Sequence, residues 1–205
     1  MADGVKAIRR RRPPVQQRSR EMVEAILDAA THVLATVGYA QMSTNRIAGE
    51  AGVSIGSLYR YFSDKEEIFD ELRARATDDI MADLTETITR SAGEPPDVGV
   101  RAVVAGLVAA LQRHEAVVRA LVNEVPLGTQ SNVLPDIERT LAQFTRIYAA
   151  RHAPRIDRAE LDARIYLAMG ITLNSCLRIA LERPPELDED HLVDLVAGML
   201  ALGLA

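Results

Sequence analysis

Apolar residues in this 205-residue chain recur at spacings of three and four, and no stretch sustains the strict alternation of a half-buried strand. From Arg20 to Val37 the series Val23, Ile26, Leu27, Ala30, Val33, Leu34 and Val37 marks one face of a helix. Gly38 follows, as glycine does where a helix turns off. The same period returns in Ile68, Phe69, Leu72, Ala76, Ile80 and Leu84, in a helix expected to reach about Ser91. Past the breakers Gly93, Pro95 and Pro96, helices are expected at about 97–113, 115–124 and 133–152. Asp157 can cap a long helix that Pro184-Pro185 stops, and a last one runs from Asp188 to about Leu202. The expected fold is therefore all-α, with about nine helices: an N-terminal three-helix unit and a helical body behind it.

Between Gly38 and Ile68 the helical signals are short. Ser43 can cap a helix carrying Ile47, Ala48 and Ala51, which Gly52 ends. Ser54 can cap a second, carrying Leu58, Tyr59 and Phe62. Ser63-Asp64-Lys65-Glu66 reads as a capping box that opens the next helix, with Ser63 as the cap and Glu66 reaching back. Two short helices joined by a glycine-bearing turn make a helix-turn-helix. Val53 can plug the angle between them while Leu58 and Phe62 bury the inner face. The outer face then presents Ile55, Gly56, Ser57 and Arg60, free to enter a major groove.

Charge fits that reading only once it is divided along the chain. The net charge is −5, yet residues 1–65 hold ten Lys and Arg against six acids, a balance of +4 that leaves −9 for the rest. A basic head on an acidic body points to a polyanion partner for the head. The run Arg9–Arg12, with Pro13-Pro14, reads as a disordered basic arm over residues 1–19, able to lie in a minor groove. No apolar h-region follows those arginines, so no secretory leader is expected, and no membrane span either. The single cysteine, Cys176, forms no internal disulfide and fits a reducing, cytoplasmic setting.

The segment Ile47-Ala48, Ala51-Gly52-Val53-Ser54, Gly56-Ser57-Leu58-Tyr59, Tyr61-Phe62, Lys65-Glu66 and Ile68 resembles the DNA-binding domain of the tetracycline-repressor (TetR) family. The resemblance covers about residues 20–70. It implies phosphate contacts from Thr44, Ser57, Tyr59, Tyr61 and Lys65, and base-edge contacts from Ile55, Gly56, Ser57 and Arg60. Asn45 and Arg46, near the start of the preceding helix, and Ser54 complete the expected DNA-facing set. Tyr61 departs from the histidine frequent at its position. Ile55 stands where a polar residue or lysine is frequent; it can touch a thymine methyl but cannot donate to guanine. Tyr59 has a competing reading as core, and Lys65 as a solvated lysine, although a cation just inside a helix start opposes the helix dipole.

The resemblance also implies a homodimer on a near-palindromic double-stranded operator, with a small-molecule effector of unknown identity held in the C-terminal helices. The expected division is 1–19 as arm, 20–66 as helix-turn-helix domain and 67–205 as ligand-binding and dimerisation domain. Candidate pocket residues are Leu121, Phe144, Tyr148, Tyr166, Met169, Asn174 and Cys176. Candidate seam residues are Leu161, Ile165, Ala168, Leu173, Leu177, Leu192, Leu195, Val196, Met199 and Leu200, which the periodicity alone does not divide between seam and core. The expected function is that of a ligand-released repressor; a ligand-independent regulator or an activator shares the same DNA-binding features. An enzyme or a bare helical scaffold is the more distant alternative. His32, His114, His152 and His191 are scattered, no nucleophile or phosphate-loop motif appears, and no cofactor, metal site or catalytic residue is expected. Asp188-Glu189-Asp190-His191 has a metal-like look, but acids at a helix start are expected on dipole grounds.

Overall fold

The computed structural model describes residues 15–123, 134–152 and 156–204, which hold nine α-helices and no strand. The first is α1 (Val15–Gln41), and it already takes in residues 15–19 of the expected arm; residues 1–14 lie outside the described residues. Gly38 breaks its regular geometry with φ 74° and ψ 170°, a conformation that a side chain resists. After it come α2 (Thr44–Glu50), the one-turn α3 (Ile55–Leu58) and α4 (Lys65–Ser91).

The cap of α4 sits one residue later than the sequence pattern implied. Asp64 is the N-cap and accepts from the Glu67 N–H at 2.8 Å, while the Glu67 carboxylate accepts from the Ser63 N–H at 2.6 Å. The reciprocal capping logic holds, but Asp64 and Glu67 perform it rather than Ser63 and Glu66. Both pairs have the same spacing, so the sequence offers two registers, and the carboxylate of Asp64 is the stronger acceptor for an N–H.

Then follow α5 (Pro96–Arg113), α6 (Glu115–Asn123), α7 (Leu134–His152), α8 (Arg158–Glu182) and α9 (Glu189–Leu204). Asp157 caps α8 and Asp188 accepts from the His191 N–H at 2.8 Å, so the acidic start of α9 serves as a cap. Helix α5 lies at the centre of the body, packed on α4, α8 and α9. Arg101 of α5 pairs with Asp190 and Asp194 of α9, and Arg113 with Asp83 of α4.

Two apolar cores result. The first gathers Ile26, Leu27, Ala30 and Leu34 of α1 with Ile47 and Ala48 of α2, then Leu58, Phe62, Ile68, Phe69, Leu72 and Ala76. It is completed by Val117 and Ala120 of α6. The second gathers Ile80 and Leu84 with residues of α5, α7, α8 and α9. Helix α4, 27 residues and so about 40 Å long, runs from one core into the other. Arg75 ties it to α1 through a two-pronged pair with Glu24 at 2.6 and 3.0 Å, which holds the Glu24 carboxyl below its ordinary range.

The outer stripe of α8 and α9 differs from the expected seam. Ile165, Leu173 and Val196 are core, and Leu161, Ala168, Leu177, Leu192 and Leu200 lean against it. Of the nominated residues only Leu195 and Met199 are exposed. Tyr166, Leu167, Ile171 and Leu202 join them outside, with Gly170 and Gly198 between. Helix α8 is apolar on nearly all sides, so its sequence does not fix the phase. It is long and apolar enough to cross a membrane by composition alone, yet Ile165, Met169, Leu173 and Cys176 bury its inner side in the body core.

Candidate nucleic-acid interface and effector cavity

The helix-turn-helix is built by local hydrogen bonds. Ser43 accepts from the Arg46 N–H to start α2. Gly52, at φ 66°, then reverses the chain; its N–H donates to the Gly49 carbonyl at 3.2 Å, and the Val53 N–H donates to Ala48 at 3.0 Å. Nothing lies within 4 Å of where a Gly52 Cβ would stand, so backbone conformation rather than crowding demands glycine here. Ser54 caps α3 by accepting from the Ser57 N–H at 3.1 Å, and the two hydroxyls lie 2.8 Å apart. Regular helix ends at Leu58, earlier than expected, and Tyr59 to Tyr61 continue as turns that swing Phe62 into the core.

With Leu58 and Phe62 buried, the residues left outside are Asn45, Arg46, Ser54, Ile55, Gly56, Tyr59 and Arg60, with Thr44, Ser57, Tyr61 and Lys65 partly covered. The eleven positions thus lie in α2, α3, the turns before and after α3 and, at Lys65, the first residue of α4. Tyr59 is 53% exposed and its hydroxyl meets that of Thr44 at 3.1 Å, bridging the start of α2 to the end of α3. The core reading of Tyr59 is excluded by that exposure. Arg60 rests its guanidinium 5.8 Å from the Tyr61 ring centroid, which stiffens a long side chain on the outer face. Nothing lies within 4 Å of the position a Gly56 Cβ would take, so the backbone there is open to a close external approach.

Lys65 shows a contact that its sequence position did not reveal. Its Nζ donates to the Tyr39 carbonyl at 3.3 Å and sits 4.5 Å above the Tyr39 ring, which in turn packs on Phe69 at 4.6 Å. The cation is therefore placed against a carbonyl near the end of α1, which offsets the unfavourable dipole at the start of α4. An ammonium has three donors, and this bond uses one.

In the body, Phe144, Tyr148 and Met169 come together around a partly open cavity of about 40 Å³ that Val104, Leu141, Thr145 and Thr172 also line. The other pocket nominees lie elsewhere. Tyr166, 80% exposed, and Asn174 stand on the outer stripe of α8; Leu121 leans on both cores. Cys176 is fully buried beside the Val104 carbonyl, and burial pushes its thiol up to about 12, so it is an inert core residue. The cavity was legible only in part, because α8 turns about 100° per residue: that step carries position 166 off the buried side that holds 165 and 169, and Asn174 falls on the opposite side.

Comparison with known proteins agrees with this geometry. Residues 26–72 match the family model described as bacterial regulatory proteins, tetR family. An HTH-type transcriptional regulator of Mycobacterium bovis is 32% identical over 154 residues, which cover 75% of this chain and 70% of that protein. The nucleoid occlusion factor SlmA of Pasteurella multocida is 38% identical over 79 residues, so that the chain spans only 38% of that relative's length. A solved structure from Mesorhizobium loti, assigned to the TetR family, has the same fold, with a TM-score of 0.69 over 91% of this chain and 96% of that one at 19% identity. The outward-facing helix-turn-helix, the nine-helix fold and a relative aligned over most of both chains lead to one conclusion: this chain belongs to the TetR family of DNA-binding transcriptional regulators.

Proposed function

We propose that the chain acts in the cytoplasm as a homodimeric repressor that reads a near-palindromic operator and is released from it by a small, largely apolar ligand. One observation carries the reading: α4 belongs to both cores. Leu72 and Ala76 root it in the head, Ile80 and Leu84 in the body, and its last turns wall a groove of about 390 Å³ against α7. A ligand that shifts the far end of this helix moves its root. The proposed reading unit is residues 20–66, with Thr44, Tyr59, Tyr61 and Lys65 on phosphates and Ile55, Gly56, Ser57 and Arg60 toward base edges. The body, 67–205, supplies the ligand site and the dimer seam. The exposed apolar side chains of α8 and α9 support the dimer: Tyr166 is 80% exposed, Leu167 64%, Met199 62% and Leu202 78%, apolar area that water does not favour.

Release needs no change within α3. It needs a body shape in which two heads no longer match successive major grooves, about 34 Å apart. Such a ligand must bind the released shape more tightly than the DNA-bound one, since equal affinity shifts nothing. The test is selection of bound fragments from genomic DNA, followed by titration of each stabilising compound with and without the selected operator. Reciprocity requires the operator to weaken ligand binding by the factor by which ligand weakens operator binding. Compounds that bind equally in both states would reduce the body to a strut and leave a ligand-independent regulator.

A further inference from the structure

Two of the chain's passages between head and body run side by side, along α4 and at the corner where α5 meets α6. On α4 the head core ends at Ala76 and the body core begins at Ile80, so Asp79 stands at the crossing. At the corner stands His114. It ends α5, and its carbonyl accepts the first hydrogen bond of α6, from the Val118 N–H at 3.0 Å. Helix α6 then carries Val117 and Ala120 into the head core. The His114 side chain is only 18% exposed, and its Nε2 is fully buried with no hydrogen bond among the described residues. Asp79 Oδ2 lies 3.5 Å from that nitrogen.

Charge decides what this contact does. A neutral imidazole can keep its proton on the other nitrogen and leave Nε2 bare, whereas a charged imidazole carries a proton on both. The charged Nε2–H then faces a carboxylate, and a buried donor gains a charge-assisted partner. The pocket around the pair, about 270 Å³, is also lined by Asp28 of α1, Arg75 of α4 and Arg113 of α5. Both arginines are already held by acids, Arg75 by Glu24 and Glu71 and Arg113 by Asp83. Glu115, the first residue of α6, pairs with Arg119. Among the described residues, His114 is therefore the basic group left for Asp79.

We infer that His114 and Asp79 form a proton-operated latch at the joint between head and body, closed when the imidazole is charged and slack when it is neutral. Histidine changes charge between about pH 5 and 8. A joint with the pair closed binds that proton more tightly than one in which α4 and the corner have parted, so protons favour the closed joint. The stabilisation is present in acid and lapses as pH rises through the titration of the imidazole. Operator binding needs two heads at a fixed spacing, so a joint that stiffens or slackens changes operator affinity. The latch takes only a proton and does not depend on the effector reading above. His32 and Glu50 also approach, at 3.6 Å, but both belong to the head and span no joint.

The experiment uses the full chain at about pH 5.5 and about pH 8, on either side of the histidine range. Chemical denaturation of the wild type, His114→Gln, Asp79→Asn and the double variant measures the coupling of the two positions. The substitutions are expected to be coupled in acid and additive at the higher pH. Fluorescence anisotropy on an operator selected from genomic DNA measures affinity at both pH values. Between them the wild type is expected to shift by roughly threefold to tenfold more than either variant does. His32→Gln should keep the whole of the wild-type shift. Additivity at both pH values, or equal coupling at both, would overturn the latch. So would an operator shift that survives in His114→Gln or Asp79→Asn, or one that disappears with His32→Gln. Coupling in acid with no change in the pH dependence of operator binding would reduce the pair to a structural brace and likewise sink the inference.

Discussion

At the scale of single residues, two glycines in the reading unit separate folding from DNA contact. Gly52 has positive φ, so Gly52→Ala forces a side chain into the left-handed region at a cost of about 1–2 kcal/mol. That loss should appear in chemical denaturation before any DNA is added. Gly56 has no positive φ and open space at its Cβ position. Gly56→Ala should leave stability unchanged or slightly raised while operator affinity falls, since the added methyl meets only what approaches from outside. Undiminished affinity would take Gly56 out of the interface. Lys65→Ala is expected to lose on both counts. It removes the bond to Tyr39, worth about 0.5–1.5 kcal/mol, and it should lower the slope of log K against log salt by about one per subunit. A variant that melts earlier but keeps its slope would make Lys65 a brace of the α1–α4 corner only. The sequence placed Lys65 at a helix start but could not show Tyr39 beneath it, because that contact joins residues 26 positions apart.

At the scale of elements, the helices were largely legible and their rotations were not. Breakers at Gly93, Pro95, Pro96 and Pro184-Pro185 have strong local chemistry, so the boundaries of α5 and α8 follow from them. The phase of α8 depends on which of two apolar faces meets the body, a tertiary choice, and so the sequence pattern does not reveal that Tyr166 and Asn174 lie outside. Nor does periodicity reveal close approach. A Cβ added at Gly106 of α5 would stand 3.0 Å from both Cγ2 and Oγ1 of Thr87 on α4. Gly106→Ala is therefore expected to destabilise by about 1–3 kcal/mol through overpacking, even though alanine is the better helix former by about 1 kcal/mol. Thr87→Ala in the same chain should recover most of the loss, a coupling that a double-mutant cycle by denaturation measures directly. Strict additivity of the two changes would mean that α4 and α5 give way elsewhere.

At the scale of the whole molecule, one short reading helix cannot supply specific binding. Regular helix in α3 spans four residues, a contact far smaller than the roughly 1,000–2,500 Å² buried by specific protein–DNA interfaces. Two heads on one operator solve this, because the second binds at the high effective concentration set by the first. The stripe on α8 and α9 is where the copies are expected to meet. Its exposed apolar residues alternate with Gly170 and Gly198, neither of which has an atom within 4 Å of a built Cβ, so a partner's helices can approach closely there. Paired by a two-fold axis, the two stripes bury each other in a four-helix seam, and an isologous contact of this kind imposes the same symmetry on the DNA site. Leu167→Glu together with Met199→Glu places four carboxylates in that seam while touching neither core, since both positions are more than 60% exposed in the single chain. The expected result is a folded monomer: helical content retained, sedimentation at half the mass, and operator affinity lowered by about a thousandfold or more toward the non-specific level. Footprinting of the wild type should protect two half-sites and that of the variant neither. A double variant that stays dimeric would move the seam off α8 and α9, and a monomer that still protects a half-site with undiminished affinity would show that one head reads DNA alone.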